Sequence, residues 1–151
     1  SDAITLNCTA LSVLTREVIP FMPEDSRIIN VGSSAAYLPQ PHFTVYAASK
    51  SYVVSFSRAL ARELRKTRIY VTVVCPDPVE TEFNKLATDG ASAEFTGFRK
   101  FVAADADKLA AASLKAARHK RVMFVYGLPN KALHVAAKLM PVGLYLKLFY
   151  R

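Results

Sequence analysis

RIINVGSS (residues 27–34), VYAASKSYVVSFSRALARELRK (residues 45–66) and IYVTVVCPDPVET (residues 69–81) follow one another in this chain and decide its fold. The first opens on a short apolar run, Arg27 to Gly32. It is continuous rather than alternating, as strands buried on both faces of a parallel sheet tend to be. The second has the spacing of a long amphipathic helix, Val45 to Lys66, and its small residues Ala47, Ala48 and Ser49 allow a neighbour to approach closely. The third is rich in β-branched residues from Ile69 to Cys75, which favours a strand, and Pro76 and Pro78 break it into a loop. Strand, helix, strand is the unit of a parallel sheet with right-handed crossovers.

The same alternation extends in both directions. Ile4 to Met22 reads as a helix with a broad apolar face, and Pro23-Glu24-Asp25-Ser26 is its stop and turn. Ser34 to Thr44, carrying Pro39 and Pro41, reads as a loop. Glu80 to Ala87 reads as a short helix, and Thr88 to Phe98, with Gly90 and Gly97, as a lid-like segment. Ala104 to Arg118 predicts a helix whose start suits Asp105 and Asp107. Val122 to Tyr126 predicts a third strand ended by Gly127. A final helix from Asn130 to Tyr150 is interrupted at Pro141 and Gly143.

Tyr46 and Lys50 stand four residues apart, on one face of the long helix. Ser33 ends the strand thirteen residues before the tyrosine. A free phenol titrates near ~10 and is a poor acid or base at neutral pH. A fixed ammonium beside it favours the phenolate. A serine hydroxyl from the neighbouring strand end then holds a substrate oxygen against the phenol. This set moves a proton on and off a carbonyl or alcohol oxygen.

These pieces, in this order, resemble the short-chain dehydrogenase/reductase family. The resemblance covers nearly the whole chain but only the C-terminal half of that family. It implies the fold expected here: α/β, the C-terminal half of a Rossmann-like parallel sheet flanked by helices. It implies that Asn7, in TLNCTALSV, is the family's helix asparagine that kinks its helix and holds a proton-relay water. It further implies that Ser33 orients the substrate, that Tyr46 is the general acid/base, and that Lys50 tunes the tyrosine and bonds the nicotinamide ribose. Ser34 competes for the role of Ser33, but thirteen residues to Tyr46 fits the family better than twelve. PDPVET resembles the family's Pro-Gly-x-Val-x-Thr loop, so Pro76, Val79 and Thr81, with Tyr46 and Lys50, are the expected contacts to NADP or NAD. Asp77 departs from the family's glycine there. Aspartate tolerates left-handed backbone better than most residues, which keeps the loop feasible.

The family's first half, with its glycine-rich turn for the cofactor pyrophosphate, has no counterpart. The five glycines are scattered at 32, 90, 97, 127 and 143. Residues 1–151 are therefore read as one partial domain lacking the dinucleotide-binding half, inactive alone. The best local resemblance lies with the branch of 3-ketoacyl-CoA reductases and 17-beta-hydroxysteroid dehydrogenases, through INVGSSAAYLPQPHFTVYAASKSYVVSFS and GLPNKALHVAAKLMP. The expected activity is NAD(P)-dependent carbonyl reduction or alcohol oxidation. The alternative is a non-catalytic assembly or membrane-surface module.

Composition bounds the rest. With 151 residues, 52% hydrophobic and 21% charged, the chain is long and apolar enough for a real core. A net charge of +8 is spread over Arg58, Arg62, Arg65, Lys66 and Arg68 and over Arg118, His119, Lys120 and Arg121, where cations complement helix C-termini. That distribution argues against a nucleic-acid partner. Cys8 and Cys75 read as free buried thiols of a reducing compartment, and His42, His119 and His134 form no zinc pattern. With no leader pattern at the start, a cytoplasmic location is expected. Tyr37, Leu38, Phe43, Phe95, Phe98 and Phe101 suggest a small apolar carbonyl or alcohol substrate, though core packing explains them equally well. KALHVAAKLMPVGLYLKLFYR is too interrupted to span a membrane. Packing or a lid is favoured over a membrane-surface role. A homo-oligomer is expected through the helices containing Asn7 and Tyr46.

Overall fold

Val71, Thr72, Val73 and Val74 stand in a row, and β-branched side chains prefer extended backbone. In the computed structural model, which describes residues 2–76 and 105–149, this run is the central strand of a three-stranded sheet ordered β1-β2-β3. Strand β1 (Arg27–Val31) pairs in parallel with β2 (Tyr70–Cys75), Arg27 opposite Tyr70 and Val31 opposite Val74. Strand β3 (Met123–Val125) pairs in parallel with the other edge of β2, Val73 opposite Met123. Every residue of β2 from Val71 to Cys75 is buried, which is why its sequence does not alternate.

The chain enters through a composite helix. Helix α1 (Asp2–Ile4) widens into a π-helical stretch, Thr5–Ala10, continues as α2 (Leu11–Val18) and ends in a 3₁₀ turn, Ile19–Phe21. Pro20 lies in that last turn, where the tighter spiral tolerates its missing N–H. Helix α3 (Thr44–Glu63) crosses β1 and β2 and buries Ala47, Ser49, Val53, Ser57 and Leu60. The close approach rests on small residues. Asn30 of β1 donates to Ser57 Oγ at 2.8 Å, a buried pair between strand and helix. A Cβ added at Gly32 would meet Cys75, Val54 and Val73 atoms, each at 3.2 Å.

Helix α4 (Ala106–Arg118) starts on Asp105, whose carboxylate accepts the backbone N–H of Asp107 and Lys108. These bonds, the one from Lys108 first, hold that carboxyl below its ordinary range. Gly127 has φ 83°, a left-handed value that a side chain would resist, and it reverses the chain from β3 into α5 (Leu128–Leu139). Helix α6 (Val142–Phe149) follows. Two apolar clusters form the core. One joins Leu60, Leu64, Ile69 and Val71; the other joins Val53, Val73 and Cys75, with Leu11 and Tyr37 against it.

Among the described residues the expected elements are present, with shifted ends. The long helix tightens to 3₁₀ at Leu64–Lys66. The expected loop after Ser33 contains a 3₁₀ turn, Ser34–Ala36. The final helix is two helices divided at Met140 and Pro141, and Gly143 lies inside the second rather than breaking it. Of the small residues, Ala47 and Ser49 face inward while Ala48 is exposed. Cys75 is buried, but Cys8 is only half-buried. The short helix and the lid-like segment expected between Glu80 and Phe98 lie outside the described residues.

Candidate active site

Parallel strands end together, and β1 and β2 deliver their C-terminal ends to one edge of the sheet. There the ladder continues past the strands: Gly32 N–H donates to Val74 O at 2.8 Å, and Ser34 N–H donates to Pro76 O at 3.0 Å. The loop carrying Ser33 is thereby stitched to the chain entering the Pro76 loop. Ser33 has extended backbone, and its Oγ accepts the Ala35 N–H at 3.1 Å, capping the following turn.

The N-terminal turns of α3 bring the phenol and the ammonium to this edge. Lys50 Nζ lies 5.7 Å from the centroid of the Tyr46 ring. It donates to Val31 O, the last carbonyl of β1, at 3.0 Å. Helix and strand end are thus tied by the cation. Burial pushes the Lys50 ammonium below the ordinary lysine range; the nearby Cys75 and Cys8 thiols act in the opposite direction. Burial likewise pushes the Cys75 thiol up, against hydrogen bonds from the Tyr37 hydroxyl and the Ser33 backbone N–H and against the Lys50 charge. Cys75 is a neutral, inert thiol at this place.

Asn7 reaches the same helix from below. Its Nδ2 donates to Ser49 Oγ at 3.0 Å, and Ser49 Oγ donates to Tyr46 O at 2.8 Å. A short relay of hydrogen bonds therefore runs from Asn7 to the main chain of the tyrosine. Asn7 sits within the π-helical stretch Thr5–Ala10. Such wide turns are rare and concentrate at functional positions.

The structure thus joins Tyr46 with Lys50, and Asn7 with Tyr46 through Ser49, and places Ser33 two residues beyond the carbonyl that Lys50 holds. Pro76 stands at the same edge. Val79 and Thr81 lie outside the described residues, as do Asp77, Phe95, Phe98 and Phe101. Among the expected apolar residues, Leu38 is buried, and Tyr37 packs its ring on His134 at 4.6 Å. The sequence reading missed Ser49 and Asn130. From the sequence, Ser49 reads only as a small residue. Asn130, buried in the first turn of α5, donates to Cys75 O at 2.8 Å. The one available sign was an amide directly after Gly-Leu-Pro, where a helix begins. Among the described residues no cluster of side chains suits a metal ion, and no helix is long and apolar enough to cross a membrane.

Comparison with known proteins adds the context. The family described as short chain dehydrogenase matches residues 1–91. An uncharacterized oxidoreductase of Escherichia coli, YghA, is 41% identical over 76 residues, which is 50% of this chain and 26% of that protein. A very-long-chain 3-oxoacyl-CoA reductase of Anas platyrhynchos is 38% identical over 86 residues, 56% of this chain and 28% of that protein. The solved short-chain dehydrogenase of Sphingobium yanoikuyae in complex with NADPH superimposes with a TM-score of 0.68 at 27% identity, over 98% of this chain and 56% of that one. The chain thus spans about half the length of a solved relative, and its matches cover little more than a quarter of the curated ones.

Proposed function

This chain belongs to the short-chain dehydrogenase/reductase family, and we propose that it carries the proton-handling half of an NAD(P)-dependent oxidoreductase. The reaction is reduction of a carbonyl or oxidation of an alcohol. The observation that carries the reading is Lys50, which sits beside the Tyr46 ring while bridging α3 to the last carbonyl of β1. A surface ion pair has no reason to do both.

The residues present fit the nicotinamide–ribose end of such a cofactor. Lys50 has three N–H donors, of which the Val31 bond uses one. The Pro76 backbone is anchored beside it through Ser34. Lys50 and Tyr46 would hold the ribose, and Pro76, with Val79 and Thr81, the carboxamide. When bound, the cofactor supplies or takes the hydride. The chain's own residues handle the proton. Ser33 and Tyr46 hydroxyls hold the substrate oxygen. Tyr46 gives its proton to that oxygen in reduction and takes it back in oxidation. The Lys50 ammonium steadies the phenolate. Asn7 keeps the first turns of α3 in place through Ser49 and serves the proton path to solvent.

An apolar substrate is supported by two observations. Relatives are named as very-long-chain 3-oxoacyl-CoA reductases. A cavity of about 480 Å³ opens behind the Ser33 turn, lined by Tyr37, Leu38, Pro39, Pro41 and Leu146 among others. The test is Tyr46→Phe in the full-length oxidoreductase. Loss of one acid/base group lowers kcat/KM by ~10²–10⁴. Near-normal turnover of the phenylalanine variant overturns the assignment.

A further inference from the structure

We propose that Asn130 is a positioning residue of this active site: its buried amide clamps the end of β2 and so fixes the Ser33 and Pro76 loops relative to each other. The proposal rests on the active-site reading given above and deepens it.

Cys75, fully buried, is the junction. Its carbonyl accepts from Tyr126 N–H at 3.2 Å and from Asn130 Nδ2 at 2.8 Å, so both of its lone pairs are engaged. Tyr37 packs against the cluster that holds the Cys75 side chain, and the Tyr37 hydroxyl and the Ser33 backbone N–H both act on its thiol against the effect of burial. The next residue is Pro76, whose carbonyl holds Ser34 N–H at 3.0 Å. The substrate-side loop and the cofactor-side loop therefore meet at one residue, and α5 holds that residue. The Tyr37 ring against His134 is a second tie from the same helix. Gly127, with its left-handed φ of 83°, turns the chain sharply enough for the third residue of α5 to reach back to β2.

Asn130 is 1% exposed, and among the described residues its buried Oδ1 has no hydrogen-bond partner. An unpaired buried acceptor costs about 1–3 kcal/mol, and an apolar residue of the same shape is often neutral or better. Leucine has as many side-chain heavy atoms, although its tetrahedral branch is bulkier than the planar amide. Stability by itself therefore does not call for an amide here, whereas a donor aimed at the Cys75 carbonyl does. Misplacing reacting groups by about 1 Å can cost ~10² in rate.

The test compares variants of the full-length oxidoreductase. Asn130→Leu lowers kcat about ten- to a hundredfold, with the melting temperature within a few degrees of the parent. Asn130→Asp supplies the discriminating readout. Its protonated carboxyl donates to Cys75 O and burial favours that form, so the ratio of its kcat to the parent's is restored at acidic pH and falls as pH rises. Lys50 and Cys75 at this end of β2 and His134 one turn further along α5 are titratable groups near the new carboxyl. All three are common to both proteins, and repeating the ratio in the His134→Phe background separates the carboxyl's titration from the imidazole's. A readout free of turnover uses the Cys8→Ser background, where Asn130→Leu raises the rate of thiol labelling at Cys75 about tenfold as the strand end opens more often. Tyr46→Phe is run in parallel: if it keeps its turnover, the active-site reading fails while the labelling still judges the clamp. Parental kcat in Asn130→Leu, a flat Asn130→Asp ratio, or unchanged Cys75 labelling each overturns the clamp. Should the leucine variant not fold, the aspartate ratio decides.

Discussion

Lys50 sits where its charge is costly to keep. Burial is the largest influence on it and lowers its proton affinity, and the single carbonyl it is seen to hold, Val31 O, offsets only part of that cost. The folded state therefore binds this proton less tightly than the unfolded state, and the penalty is present in full below the lowered value. It is relieved as pH rises through the lowered value towards the ordinary lysine range. Lys50→Met removes the penalty and the cation together. Its kcat/KM falls by ~10² or more in the full-length enzyme. Its melting temperature relative to the parent is highest near neutral pH and declines as pH is raised. Thermal melts from pH 7 to 10 on both proteins check the trend. A constant difference would mean that the lysine is as well solvated folded as unfolded. Retaining so uncomfortable a group is understandable where charge next to a phenol is the function, and hard to justify as packing.

Helix α5 carries its own titratable contact. His134 packs on Tyr37, and burial, Lys138 on the same helix and Arg58 on α3 all push its imidazole below the ordinary histidine range. Its stabilising neutral form is present above the unfolded value near ~6.5 and is lost as pH falls towards the lowered one. The melting temperature should thus drop between pH 7 and 5, and His134→Phe, which keeps a ring against Tyr37, should flatten that drop. An unchanged slope in the variant rules out His134 as its source. This contact was invisible in the sequence, because Tyr37 and His134 are ninety-seven residues apart and nothing in their spacing pairs them. By contrast, β2 was readable almost to the residue, since its four β-branched residues and the following Pro76 leave little choice. The pairing of Tyr46 with Lys50 was readable because helical spacing alone sets it. The π-helical stretch around Asn7 was not, since nothing in TLNCTALSV distinguishes a wide turn from an ordinary one without the Ser49 hydroxyl that engages it. The division at Pro141 is legible in the sequence, whereas Gly143 continues the helix: a glycine costs a helix about 1 kcal/mol, which neighbouring packing readily absorbs.

At the scale of the whole molecule, two surfaces ask for partners. The composite first helix exposes Leu6, Val13, Leu14 and Phe21, spaced as a stripe along one side, and Ser12 meets Tyr52 of α3 at 2.7 Å beside it. Assembly through these two helices is the proposal that this stripe supports, and it is compatible with a catalytic role. The second surface is the sheet itself. Among the described residues β1 has a hydrogen-bonded neighbour on one side only, and Val31 is 58% exposed at its end. Cofactor phosphates are held by a glycine-rich turn at a helix N-terminus in dinucleotide-binding sheets, and the 151 residues contain no such cluster of glycines. On the proposed reading, Tyr46, Lys50 and Pro76 would address the nicotinamide end only. The 151-residue chain by itself should then bind NADPH with a Kd weaker than about 1 mM, less than roughly 4 kcal/mol of binding, and show no change in nicotinamide absorbance with any carbonyl substrate. Fluorescence titration and an absorbance assay on the purified chain, beside the full-length polypeptide, measure both. Tight NADPH binding by the isolated chain would mean that phosphate recognition resides in these residues after all, and turnover by it would show that the proton-handling half suffices without the partner surface that β1 leaves open.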